Sequence, residues 1–382
     1  MLRWRTVGER SLDELAHALI APLQPGDRVG DLRLAAIVTD LAIHYELRGA
    51  DTRAIIEVIP RDGARAERVT TRHFAVGHRA TTIDDRRAIE LCRIIAARIA
   101  ANEDDALAAM RAVAEPSDRV RSIHAAHALV ATHPLTHYTL SPYRGCTIGC
   151  TFCYAQSRLQ PMRALLGRAP APWGSWVDAH VDMPEVLARE LDTLPCAPIK
   201  LCPIVADPYQ AIERRLRVTR GCLERIARAT QPWPVLVLTR AHEILDDTAL
   251  IASLPRAWVG VSLPTIDDDV RRHFEPRAAT VAERLLVLRR FADAGVRTFA
   301  VVQPMLPGDV DALADALQIA SAGVAIGTLE GEEQSGPSFD APQFTEARAA
   351  DWQRARAARL GEALAARGVA VWTGELPPEL ST

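Results

Sequence analysis

The sequence contains a single lysine, Lys200, among 45 basic residues. Arginine supplies the rest, which reflects coding bias more than that many chosen bidentate contacts. The formal net charge is −3, so the chain as a whole lacks the positive excess of a nucleic-acid binder. A local basic groove stays open at Glu213-Arg214-Arg215-Leu216-Arg217-Val218-Thr219-Arg220, although a solvated helix face is the plainer reading. No apolar run approaches the ~20 residues that a membrane-crossing helix needs. The opening Met1-Leu2-Arg3-Trp4-Arg5 lacks the apolar core of a signal peptide. The expected compartment is therefore the cytoplasm. Evenly paired cysteines are also missing. The seven present are odd in number, with three clustered, which fits reduced thiols and a metal better than a disulfide framework. Length and composition (382 residues, 48% hydrophobic, 24% charged) suit a soluble catalytic domain with an appendage.

What is present is concentrated in Ser141-Pro142-Tyr143-Arg144-Gly145-Cys146-Thr147-Ile148-Gly149-Cys150-Thr151-Phe152-Cys153-Tyr154. Cys146, Cys150 and Cys153 are spaced C-x3-C-x2-C. Thiolates at this spacing on a tight loop can all face one metal centre. Iron–sulfur clusters usually take four thiolates. Three leave one iron without a protein ligand, and an open position is what makes a metal site reactive. A three-cysteine zinc knuckle or a redox thiol cluster is the alternative. His124, His127, His133 and His137 precede the loop. They have no acidic or cysteine partner at ligand spacing among them, and Pro134 breaks any shared helix face. A second metal is not expected there, while one histidine near the loop could donate a proton or hydrogen bond.

Hydrophobic patterning divides the chain into three parts. Residues 1–116 read as an α+β accessory domain without a chemical motif. It has a helix from Ser11 to Ile20, capped by Ser11 and Glu14. Strands follow at Leu32–Asp40, Ala42–Arg48, Ala54–Pro60 and Val69–Val76, then a helix from Asp84 to about Ala114 with Ile89, Ile95 and Ile99 on its apolar face. This domain is expected to bind substrate or a partner, through an exposed sheet edge, or else to shield the rest. Residues 117–330 alternate strands and helices. The strands are Thr136–Ser141, Ile199–Ala206, Val235–Thr239, Trp258–Leu263, Arg297–Gln303 and Gly323–Leu329. Six β/α units in a row imply parallel strands with right-handed crossovers, an α/β fold of the partial (β/α)6 TIM-type barrel kind. Reactive groups in such barrels lie at the carboxyl ends of strands, where the cysteine loop falls. Residues 331–382 read as a C-terminal cap.

The C-x3-C-x2-C spacing with Phe152 before the third cysteine resembles the radical S-adenosylmethionine (SAM) superfamily. The wider run from Ser141 to Ala155 looks like its spore photoproduct lyase-like branch. So do Asp207-Pro208-Tyr209-Gln210-Ala211-Ile212-Glu213, continuing through Arg214, Thr219, Arg220, Leu223 and Glu224, and the run Glu275-Pro276-Arg277. The resemblance covers about 138–310. It implies a 4Fe–4S cluster held by Cys146, Cys150 and Cys153, with SAM on the fourth iron. It also implies reductive cleavage to a 5′-deoxyadenosyl radical that removes a hydrogen atom from a substrate, fed by an electron donor such as flavodoxin or ferredoxin. Phe152 is expected against the adenine, flanked with Tyr154 about Cys153. Asp207 is placed for the SAM ammonium, while Thr239, Ser262 and Gln303 reach the cofactor by their position at strand ends. Cys202 and Tyr209 are the expected catalytic residues. The segment from Asp267 to Arg277 reads as an ion-pair network.

Two departures matter. The Gly-Gly-Glu run that many members carry after the second strand is absent. Ile204 also stands where photoproduct lyases have a hydrogen-donating cysteine, with Cys202 two residues earlier on the same strand face as an imperfect substitute. The leading expectation is thus a radical SAM enzyme acting on a peptide or small molecule. DNA repair of the photoproduct-lyase kind and a non-catalytic iron–sulfur sensor are the alternatives.

Overall fold

The computed structural model describes residues 12–39, 42–61, 68–79, 82–111, 119–132, 134–165, 168, 171–202, 204–329 and 336–380. The chain folds as two compact units, Met1–Arg119 with Ser157–Ala171, and Val120–Gln156 with Pro172–Thr382.

In the first unit, β1 (Arg28–Val29), β2 (Leu32–Thr39), β3 (Ile43–Arg48), β4 (Arg53–Pro60), β5 (Val69–Thr70) and β6 (Phe74–Arg79) form an antiparallel sheet ordered β1-β2-β3-β4-β6-β5. Alternation sends Ile43, Tyr45, Leu47, Ile56, Val58, Phe74 and Val76 to one face. There they pack with the helices Leu12–Leu19 and Asp85–Arg111 and with Met162 of the 157–171 segment. The opposite face carries buried Glu46 and Glu57, which pair with Arg53 (2.6 Å) and Arg68 respectively. Ile95 and Ile99 are fully buried, but Ile89 is 39% exposed. The helix phase instead turns Ala88, Leu91 and Cys92 inward. The Ser11 cap and the helix end expected near Pro116 lie outside the described residues. Both edge strands, β1 and β5, have only two residues. Such short edges offer little ladder for strand addition, which weighs against the expected docking route.

In the second unit, β7 (Val120–Ile123), β10 (Tyr143–Arg144) and β11 (Val177–His180) make a small sheet. The sequence reading missed it, because strands of two to four residues carry no measurable period. The large sheet contains β8 (Leu129–Ala131), β9 (Tyr138–Leu140), β12 (Ile199–Leu201), β13 (Val235–Thr239), β14 (Ala257–Ser262), β15 (Arg297–Val302), β16 (Val324–Ile326) and β17 (Val371–Trp372). Its order is β17-β16-β15-β14-β13-β12-β9-β8. All neighbours are parallel except β8 and β9. The six strands read from the sequence are β9 and β12 to β16.

Both faces of the sheet are apolar, as for a parallel sheet covered on both sides. Ile199, Leu201, Val235, Val237, Val259, Val261, Ala300 and Val302 join the main core. Cys202, Leu236, Leu238, Trp258 and Phe299 face the other way, packed against Trp372, Leu376 and Leu380 of the C-terminal segment. Glu375 of that segment pairs with Lys200, and Glu379 pairs with Arg297 and accepts from Trp258 Nε1 at 3.4 Å. Strand β12 is shorter than expected, since the Ile204 amide turns back onto the Cys202 carbonyl (2.7 Å) and ends the ladder.

The histidine run finds acidic partners far along the chain. His124 Nδ1 lies 2.9 Å from Asp182 and His127 Nδ1 lies 3.4 Å from Glu190. Burial, with Lys200 nearby, pushes His137 down to about 4, so it stays neutral. Among the described residues no helix is long and apolar enough to cross a membrane.

Candidate metal and cofactor site

The loop after β9 is shaped by its glycines. Gly145 has φ +74° and lies so close to the Trp176 ring and carbonyl that a Cβ would collide with them. Gly149 has φ +66° and meets the Gly174 backbone and the Arg277 guanidinium. Only glycine fits where the backbone is left-handed and the neighbours are this close. The loop then turns tightly, with the Cys153 amide donating to the Cys150 carbonyl at 3.2 Å.

Two distant segments clamp this loop. Gln210 Oε1 accepts from the Thr147 amide (2.7 Å) and hydroxyl (3.1 Å), while its Nε2 donates to the Gly145 carbonyl (3.2 Å). Arg277 donates through Nε to the Thr147 carbonyl and through Nη2 to the Gly174 carbonyl (2.9 Å). The Thr151 amide donates to the Phe274 carbonyl at 2.9 Å. The sequence reading quoted the runs that contain Gln210 and Arg277 but gave neither a role. Part of the segment from Asp267 is an ion-pair network as expected, with Arg271 on Asp268 and Arg272 on Asp269. Its end instead fixes the cysteine loop.

Cys146 and Cys150 are buried and Cys153 is half-buried, and the three are close enough to interact electrostatically with one another. Burial pushes Cys146 up to about 12. The Asp207 carboxylate adds to this, while the Asp207 and Ile148 amides pull the other way. Burial raises Cys150 and Cys153 too, and Arg240 acts in the opposite direction on both. None of the seven cysteines is in a disulfide. Among the described residues no three His, Cys, Asp or Glu side chains gather as ligands of one ion do. Three thiols on one tight loop, with no fourth beside them in the loop, are the donor set of an iron–sulfur cluster that leaves one iron without a protein ligand.

A buried network leads from the loop to the strand ends. Asp207 accepts from Thr239 Oγ1 (2.6 Å), the Arg240 amide (2.7 Å) and the Tyr209 amide (2.9 Å). Burial raises its pKa, and these three donors oppose the rise. Arg240 Nε donates to Glu275 Oε1 at 2.7 Å and its Nη2 reaches the Gln303 carbonyl at 3.5 Å. Its guanidinium carbon lies 5.7 Å from the centre of the Phe152 ring. The other Glu275 oxygen accepts from Arg284 Nη2 (2.7 Å), and Arg284 Nη1 donates to the Ser262 carbonyl (2.7 Å). Phe152, Asp207, Ser262 and Gln303 are thus brought into one bonded neighbourhood with the cysteines. Tyr154 is half-buried on the same loop.

Three further expected site residues sit in bonded or packed surroundings. Thr239 lies in register with Val235 and Val237 on the core-facing side of β13, and its hydroxyl is spent on Asp207 and the Ala241 amide (3.0 Å). Its hydroxyl hydrogen goes to Asp207, which it helps to hold in place. Tyr209 is fully buried, and its hydroxyl donates to Asp247 (2.9 Å), which also pairs with Arg220. Cys202 lies among Leu236, Trp258 and Trp372, beside Lys200 and Glu375. Strand alternation and the C-terminal segment put these side chains in packed surroundings.

Residues 140–319 match the family model of the Radical SAM superfamily, whose enzymes use a 4Fe–4S cluster and SAM. An uncharacterized protein of Methanocaldococcus jannaschii is 23% identical over 181 residues, covering 47% of this chain and 64% of that protein. An uncharacterized protein of Mycobacterium tuberculosis is 30% identical over 179 residues, covering 44% of this chain and 50% of the relative. The chain therefore spans less than two thirds of the length of either. Among solved structures, spore photoproduct lyase complexed with dinucleoside spore photoproduct aligns with a TM-score of 0.43 at 15% identity, covering 57% of this chain and 64% of that one.

Proposed function

We propose, from the premise that residues 140–319 are a radical SAM domain, that this protein removes a hydrogen atom from a peptide or small-molecule substrate. Cys146, Cys150 and Cys153 would hold the 4Fe–4S cluster, with SAM on its open iron. When bound, the cluster would supply the one-electron reduction of SAM on which hydrogen abstraction depends. The observation that carries the reading is the three-thiol loop, two of its thiols buried and the third half-buried, locked from two sides by Gln210 and Arg277.

The chain's own residues orient and shield. Phe152, held under Arg240, offers a flat apolar face for an adenine. Three donors already occupy Asp207, and a carboxylate has about four acceptor positions, which leaves one for the SAM ammonium. Ser262, Gln303 and Tyr154 complete the proposed cofactor contacts. In the same reading the parallel strands form a partial (β/α)6 barrel, with these groups at its carboxyl-end mouth and the C-terminal segment covering the face that carries Cys202. A small reductant such as flavodoxin or ferredoxin would deliver the electron, and the first unit would recruit substrate. Two features support a substrate other than a DNA lesion. The net charge is negative, and Cys202 is packed against Trp372 and Leu376, which suits chemistry that takes no hydrogen from that thiol.

The test is turnover of SAM by anaerobically reconstituted protein reduced with dithionite. Formation of 5′-deoxyadenosine without added substrate, rising when the right peptide or metabolite is supplied, is the expected result. Protein with a full iron complement that forms none would refute the proposal.

A further inference from the structure

We infer that Arg240 is a positioning residue that favours the one-electron-reduced state of the proposed cluster, and that Glu275 shared between Arg240 and Arg284 sets how much positive charge it presents. This rests on the cluster assignment made above and goes beyond it. Arg240 follows β13 directly, and four contacts fix it. These are its amide on Asp207 (2.7 Å), its Nε on Glu275 (2.7 Å), its Nη2 near the Gln303 carbonyl (3.5 Å) and its guanidinium over Phe152 (5.7 Å). Phe152 stands between Cys150 and Cys153 in the loop, and the Arg240 charge acts on both of these thiols.

Its side chain is 12% exposed, so salt and water screen it poorly. Had Glu275 served Arg240 alone, the pair would be neutral and its effect at a distance small. Glu275 instead divides its two oxygens between Arg240 and Arg284, both side chains of the Glu275–Arg284 pair being 0% exposed. Arg284 is held in turn by the Ser262 carbonyl (2.7 Å) and the Ala279 carbonyl (2.9 Å). The triad keeps one net positive charge in a buried place, offset in part by the neighbouring Asp207 carboxylate. An electron added to the cluster by an external reductant would put negative charge next to it, and that fixed charge needs no reorganisation to respond.

The electrostatic role and a merely structural one differ in the reduction potential. Potentials are read by redox titration of reconstituted protein, followed by electron paramagnetic resonance, with iron content checked for each variant. Arg240→Gln keeps the shape near the loop and removes the charge. It is expected to make reduction about tenfold less favourable, a fall of about 59 mV for a one-electron couple. Arg240→Lys restores the charge and should stay within about threefold of the parent, less than 30 mV on the same scale. Glu275→Gln removes negative charge and should move the potential upward, opposite to Arg240→Gln. An Arg240→Gln protein with a full cluster and an unmoved potential would overturn the inference. So would Glu275→Gln and Arg240→Gln moving in the same direction. Should the parent protein take up no cluster, the underlying reading falls and this one falls with it; a cluster whose potential ignores Arg240 defeats this inference alone.

Discussion

Replacing Cys150 with alanine is expected to cut bound iron from about four atoms per chain, the stoichiometry of one 4Fe–4S cluster, to well below one. The loop supplies three thiols, and losing one leaves two. No other cysteine stands ready to substitute. Cys202 lies on the far face of the sheet's first strands with Trp258 and Trp372. Cys92 belongs to the core of the first unit, Cys222 is buried in the main core and Cys196 is exposed. Alanine fills nearly the space of a thiol, and the clamps from Gln210 and Arg277 act on Thr147 and Gly145 rather than on Cys150. The fold should therefore survive, with unchanged far-ultraviolet circular dichroism. Cys222→Ala is the matched control and should keep its iron. A Cys150→Ala protein with a full complement of iron and sulfide would show that the cluster is held elsewhere.

The second large effect falls on the fold. Glu275→Ala should lower unfolding free energy by about 3–5 kcal/mol, the cost of removing one partner from a buried charge pair. Glu275 is 0% exposed and, among the described residues, is the carboxylate that pairs with both Arg240 and Arg284. Its loss leaves two guanidiniums in a dry setting. Arg284 is itself fully enclosed and cannot swing to water. Denaturant titration of parent and variant measures the difference. A midpoint change worth less than about 1 kcal/mol, the range of exposed pairs, would show that water reaches the site. Replacing Arg284 with methionine in the same protein should recover part of the loss, because a neutral apolar side chain relieves the uncompensated charge.

Much of this arrangement was legible in the sequence because it is local or periodic. The thiol loop announces itself by spacing, and the six strands β9 and β12 to β16 by apolar runs bounded with turns. β13 was read with its observed limits, since Val235–Thr239 is apolar on both faces between Pro234 and Arg240. What stayed hidden depends on contacts between residues far apart. Gln210 and Thr147 are 63 residues apart, Arg277 and Thr147 are 130 apart, and no period links them. Buried charge is likewise silent in a sequence with so much arginine. Nothing distinguishes Arg284, wholly buried, from Arg272, whose side chain is 62% exposed. Thr239 was expected at the cofactor from its place at a strand end, and Tyr209 from its place in the Asp207 run. The carboxylates of Asp207 and Asp247 that their hydroxyls bond, 32 and 38 residues away, are not legible in the sequence.

The central claim is that Cys146, Cys150 and Cys153 hold a cluster with an iron open to SAM. Electron paramagnetic resonance of the dithionite-reduced, reconstituted protein, recorded before and after SAM is added, tests it most directly. A reduced 4Fe–4S signal whose g values shift on addition of SAM, and which is missing from Cys150→Ala, is the result this account predicts. A signal indifferent to SAM, in protein holding a full cluster, would contradict it.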